Sequence, residues 1–137
     1  WPGHVKPGSI SDRVSGFEDW LPTLMEAVGS NEAVSGDVDG VSMLATLKGQ
    51  QQPERDYLYR EFPSYGGQQT IRVGDWKAVR QKMSKGNLEI ELYNIADDIS
   101  EQNNVAAEHP RVVDRLAKMM QEVRTPSELF PLKPLDK

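Results

Sequence analysis

Gly74-Asp75 limits what this chain can fold into more than any other pair of residues. A two-residue loop that opens with glycine favours a type II′ turn, whose twist suits the strands on either side. That turn sets Val73 opposite Trp76, Arg72 opposite Lys77 and Ile71 opposite Ala78. Residues 69–73 and 76–81 are then two arms of a hairpin, with apolar and charged side chains on opposite faces. A third strand over 88–93, returning through the polar loop 82–87, extends the pattern. Symmetric pairing sets Trp76 beside Leu92, Ala78 beside Ile90 and Lys77 beside Glu91. The aromatic-rich stretch Tyr57 to Phe62, cut off by Gly66-Gly67, supplies a fourth strand. The expected core is an antiparallel sheet with one apolar face made of Ile71, Val73, Trp76, Ala78, Ile90 and Leu92.

Helices account for the rest. Pro110 suits the first position of a helix running to about Arg124. Val112, Val113, Leu116, Met119, Met120 and Val123 form its apolar stripe, the natural cover for the sheet. Residues 18–28 read as a second helix, with Leu21, Leu24, Met25 and Val28 at helical spacing and Gly29 as the stop. Pro22 is compatible only within its first turn. Residues 41–48 make a short helical turn with Val41, Leu44 and Leu47 inward, ended by Gly49. Residues 30–40 and 94–108 read as polar connections, and 50–55 as a linker. Residues 1–16, with five glycines and prolines, and the proline-containing tail 125–137 should be extended. The tail carries Leu129, Phe130, Leu132 and Leu135, too apolar for free solvation. The fold class is α+β, read as a single subdomain over 1–137. A start at Trp1-Pro-Gly reads as a cut inside a longer protein, with no leader visible.

Composition excludes several functions. A formal net charge of −5, with Lys and Arg scattered, leaves no basic excess for nucleic acid. No stretch approaches the roughly eighteen apolar residues that span a membrane. The count of 0 cysteines rules out disulfides and thiolate metal sites. Asp37-Val-Asp39-Gly40 and the cluster Asp97, Asp98 and Glu101 have too few ligands at alternate positions for a calcium loop, and read as solvated turn carboxylates. His4 and His109 have no partner spacing; His109 belongs beside a helix N-terminus. There is no nucleophile elbow and no phosphate-binding glycine loop. No catalytic or metal residue is assigned.

Two features point to binding. Like charges directly opposite in a sheet repel, so Arg72 and Lys77 need anions. Glu91 can offset Lys77. Arg72 takes a carboxylate such as Glu61, solvent, an anionic ligand, or an acidic surface of a further domain. Arg60-Glu61 followed by Ser64-Tyr-Gly-Gly-Gln-Gln69 fits either an ordinary hairpin loop or a rim that contacts sugar, where amides and carboxylates bond hydroxyls.

Taken in order, the blocks carry a further meaning. WPGHVKPG (1–8), the D-x-x-P-T helix at Asp19, Pro22 and Thr23, and Asp39-Gly-Val-Ser42 come first. Tyr59-Arg-Glu-Phe62, Arg72-Val-Gly-Asp-Trp-Lys77 and Glu91-Leu-Tyr-Asn94 follow, then Glu101, Asn104 and His109-Pro110. The set resembles the C-terminal subdomain of type I sulfatases, formylglycine-dependent members of the alkaline phosphatase superfamily, over about 1–124. The resemblance implies a parent that hydrolyses sulfate esters, on sulfated carbohydrate, with calcium and formylglycine in an N-terminal catalytic domain and with export to the periplasm or medium. The formylglycine motif C/S-x-P-x-R is absent here, so this piece is expected to be inactive alone, shaping the substrate pocket and bracing that domain. Such subdomains place a loop over the pocket at the stretch from Glu61 to Gln69. This favours Arg60, Glu61, Gln68, Gln69 and Arg72 as substrate-binding residues. A related phosphonate or phosphodiester hydrolase, or a stand-alone α+β binding module, fits the same residues.

Overall fold

The computed structural model describes residues 1–30 and 38–136. The chain divides into two compact units, Trp1–Asp56 and Tyr57–Lys137.

In the first unit a 3-10 turn at Phe17–Asp19 runs into helix α1, Trp20–Ala27. Pro22 falls in the first turn of α1, where its missing N–H is not needed. Helix α2, Leu44–Leu47, follows. Leu44 is buried, whereas Val41, expected inward, is exposed. Most of the loop expected over 30–40 lies outside the described residues.

Asp19 organises this unit. Its carboxylate is buried and accepts the Gly16 and Val41 N–H groups, each at 2.8 Å. Arg55 Nη1 lies 2.7 Å from both carboxylate oxygens, and its Nη2 donates to the Asp39 carbonyl at 2.9 Å. The Thr23 hydroxyl donates to the Asp19 carbonyl at 2.5 Å and accepts the Met43 N–H at 2.9 Å. The D-x-x-P-T and D-G blocks are thus one hydrogen-bonded knot between α1 and the segment leading to α2. Burial pushes the Asp19 carboxyl up, but the two amides and the Arg55 guanidinium outweigh it and hold it below the ordinary carboxylate value. Residues 50–55, expected to be a linker, strap this knot instead. Gln52 accepts both the N–H and the hydroxyl of Thr46 and donates to the Ser42 carbonyl.

The second unit is the expected α+β fold. Strands β1 (Leu58–Phe62), β2 (Gln68–Val73), β3 (Trp76–Arg80) and β4 (Glu91–Asn94) form one antiparallel sheet in that order. The hairpin has the expected register: Val73 pairs with Trp76, Arg72 with Lys77 and Ile71 with Ala78. Among the two loop residues only Gly74 has a positive φ, 57°, as a type II′ turn requires. Helix α3, Pro110–Glu122, covers the apolar face. Ile71, Ala78, Leu92, Leu116 and Met120 are fully buried there, with Val73, Trp76, Ile90, Val112 and Val123 packed around them. His109 stands immediately before α3, and its ring lies 4.8 Å from that of Trp76.

Two expectations need correction. Strand β4 sits two residues further along than symmetric pairing predicts: Ala78 faces Leu92, Lys77 faces Tyr93 and Trp76 faces Asn94. The loop before it takes up extra residues. Lys82 enters a left-handed conformation, Met83–Lys85 forms a 3-10 turn and Arg80 Nε holds the Leu88 carbonyl at 3.1 Å. A slip of two keeps every side chain on its face, so the core survives the error. The tail, expected to be extended, folds back. Leu132 is buried, its N–H donates to Asp136, and Asp136 accepts from Arg124 at 2.7 Å.

Candidate anion-binding groove

Alternation along the strands decides which polar residues can meet. The cross-strand pairs Leu58–Arg72, Arg60–Thr70, Thr70–Val79 and Arg72–Lys77 lie on the face away from α3. This open face carries a groove of about 250 Å³ lined by Leu58, Arg60, Thr70, Arg72, Lys77, Ile95, Ile99 and Glu101. One wall is the chain after β4. It is tied down by Ile95 N–H to the Asp75 carbonyl at 2.7 Å, and by Asp98, whose carboxylate accepts the Gln102 and Asn103 N–H groups at 2.8 Å each. Glu101, with φ 53°, reaches back to Lys77 at 2.5 Å.

The lining holds three cations against one carboxylate, on a chain whose formal net charge is −5. Arg72 donates to the Gly74 carbonyl at 3.0 Å and makes no ion pair among the described residues. Glu91 does not offset Lys77 as expected. It faces Val79 in the register, accepts from Tyr93 and Gln81, and pushes the Tyr93 hydroxyl, already raised by burial, up to about 12. A cationic groove with Leu58, Ile95 and Ile99 also in its lining suits an anionic ligand that has a nonpolar face. A guanidinium offers two parallel donors to a sulfate or carboxylate.

Of the residues singled out in the sequence, Arg60 and Arg72 line this groove, and Gln68 lies on the same face at the end of β2. Glu61 and Gln69 face α3 instead. Gln69 is 1% exposed, donates to Tyr59 at 2.7 Å and accepts from Arg80 at 2.8 Å. Glu61 accepts from Tyr59 and from Arg124 Nε at 2.6 Å. Burial, with the Glu61 carboxylate, holds the Tyr59 hydroxyl well above its ordinary range. The polar atoms of Glu61 and Gln69 are used inside the protein. Lys77 and Thr70 were not assigned to the site from sequence. The expected pairing of Arg72 with Lys77 was the signal that could have placed both cations there.

Gly67 also has a local reason. A Cβ there would lie 3.2 Å from Leu132 Cδ1 and 3.2 Å from Met83 Cβ. The glycine lets the tail and the 3-10 turn pack against the loop.

Asp97 accepts from the Asn94 amide at 2.6 Å, Asp98 holds two backbone N–H groups, and Glu101 is paired with Lys77. Among the described residues no group of three or more His, Asp or Glu could hold a metal ion.

No family model matches the chain. An N-acetylgalactosamine-6-O-sulfatase of Bacteroides thetaiotaomicron is 28% identical over 139 residues, covering 91% of this chain and 26% of its own. An ulvan-active sulfatase of Formosa agariphila is 39% identical over 59 residues, covering 43% of this chain and 11% of its own. A solved structure of a protein with its substrate D-glucosamine-2-N,6-O-disulfate superposes with a TM-score of 0.74 at 25% identity, over 89% of this chain and 26% of that one. The chain spans about a quarter or less of the length of each.

Proposed function

We infer, for a chain whose relatives and structural neighbours are sulfatases and which corresponds to a C-terminal part of those larger proteins, that its parent is an exported sulfuric ester hydrolase acting on sulfated carbohydrate. The observation that carries this reading is the match over 91% of the chain to a sulfatase of a sulfated amino sugar. The groove on the open face supports it, since Arg60, Arg72 and Lys77 suit a sulfated sugar. Calcium and formylglycine belong, on this reading, to the catalytic portion of the parent. The described residues offer no fitting metal site and the chain has no cysteine. Its own residues bind and orient anionic groups. A parent that releases sulfate from a 6-O-sulfated amino sugar, while the 137-residue chain releases none, is the expected outcome. Sulfate release by the chain alone, or a parent inert on every sulfated sugar, contradicts it.

The outer face of α1 is the surface this reading assigns to the rest of the parent. Phe17, Leu21, Leu24 and Val28 recur at intervals of four and three along one face, and all are exposed. The isolated chain should therefore bind an apolar dye or self-associate. Leu21→Glu with Leu24→Glu should remove most of that signal and leave the melting temperature nearly unchanged. A chain with no dye binding and no concentration-dependent association would count against this assignment.

A further inference from the structure

Tyr65 stands at the tip of the β1–β2 loop with φ 53°, in the left-handed region that a bulky side chain adopts only at a cost. Burial does not offset that cost, for the residue is 87% exposed. It stacks on Phe62, itself 51% exposed, with the rings nearly parallel at 10° and their centroids 5.9 Å apart. The loop beneath is held firmly. Gly67 donates to the Ser64 carbonyl at 3.1 Å, Met83 to the Gly67 carbonyl at 3.2 Å and Ser84 to the Gly66 carbonyl at 2.9 Å. A rigid mount, a strained backbone and a solvent-facing aromatic pair together mark a binding feature.

Its position indicates the ligand. Phe62 is two residues from Arg60 on β1, so by alternation it shares the open face with Arg60 and with Arg72 and Lys77 beyond. From Phe62 to Leu58 the strand advances about 13 Å. The aromatic pair therefore stands at one end of a strip and the cationic groove along the rest. We propose that this strip is a binding site for a sulfated oligosaccharide, with Phe62 and Tyr65 stacking on the C–H face of one pyranose and Arg72 and Lys77 taking the sulfate of a neighbouring sugar. Free sulfate has no face to stack, and a neutral sugar has no charge to engage the groove. The choice of ligand class rests on the sulfatase reading; the strip itself is a feature of this chain.

The test is direct binding to the 137-residue chain, measured by titration calorimetry. The probes are a tetrasaccharide of a 6-O-sulfated glycosaminoglycan, its desulfated counterpart and inorganic sulfate. The sulfated tetrasaccharide should bind and inorganic sulfate should compete only at far higher concentration. Tyr65→Gly removes ring and strain together, so it should melt no lower than the unaltered chain yet bind roughly tenfold more weakly. Arg72→Gln should weaken the sulfated probe roughly fivefold and leave the desulfated one unchanged. Unchanged affinity in both Tyr65→Gly and Phe62→Leu, or equal affinity for sulfated and desulfated probes, overturns the proposal. A parent that releases no sulfate while the chain still binds would refute the function proposed above and leave the strip intact. An active parent whose isolated chain does not bind would do the reverse.

Discussion

An Asp19→Ala chain unfolds with about 3–5 kcal/mol less stability than the unaltered one, because it leaves a buried guanidinium without its main partner. The Arg55 side chain is 9% exposed and that of Asp19 3%. The substitution also strands the Gly16 and Val41 N–H groups that the carboxylate accepts. Asp19→Asn keeps the shape and one acceptor, so it should lose about half as much. Denaturant melts followed by tryptophan fluorescence measure both, and a loss under about 1 kcal/mol for Asp19→Ala would show that the knot is not a stabilising unit. Acid probes the same residue. Its carboxyl is held below the ordinary value of 3.8, so its contribution is complete above that value and is lost as pH falls below it. The Asp136 carboxyl, lowered chiefly by its hydrogen bond from Arg124, acts in the same direction. Asp19→Asn should flatten the acid side of the stability profile.

Gly40→Ala is expected to cost about 3 kcal/mol or more through overpacking against main chain. A Cβ at Gly40 would lie 2.1 Å from the Glu18 carbonyl oxygen and 2.7 Å from its carbon. Those atoms lie within the 3-10 turn, directly before Asp19, so they cannot move without opening the knot. A thermal melt of the alanine variant within a degree or two of the unaltered chain would contradict this account of the D-G block.

These two residues show where sequence reading stops. Asp19 and Gly40 stand in blocks that are visible in the sequence, but their partner Arg55 lies 36 residues from Asp19 in a stretch that looks like linker. The hairpin at Gly74-Asp75 was legible because turn chemistry and a period of two act over ten residues. The offset of β4 was not, because it depends on Lys82, a non-glycine residue in a left-handed conformation that no local pattern announces. The site divides the same way. Arg72 was legible as a charge that needs a partner and Arg60 as part of a polar rim, and strand parity puts both on the open face. Parity also sends Glu61 and Gln69 to the other side, where Arg124, 63 residues from Glu61, takes up the carboxylate. Glu101 in the groove depends on a loop that folds back after β4, and only tertiary structure reveals it.

On the function proposed above, this chain supplies recognition of a sulfated sugar to an enzyme whose chemistry lies elsewhere. The most direct test is the parent carrying Arg72→Ala, assayed for kcat/KM on a sulfated oligosaccharide and on a small aryl sulfate. Arg72 contacts neither the core beneath α3 nor a carboxylate among the described residues, so the fold should be unaffected. The variant should lose roughly tenfold on the oligosaccharide and less than about twofold on the aryl sulfate, which is too small to reach the groove. Equal losses on both substrates, or no loss on the oligosaccharide, would contradict it.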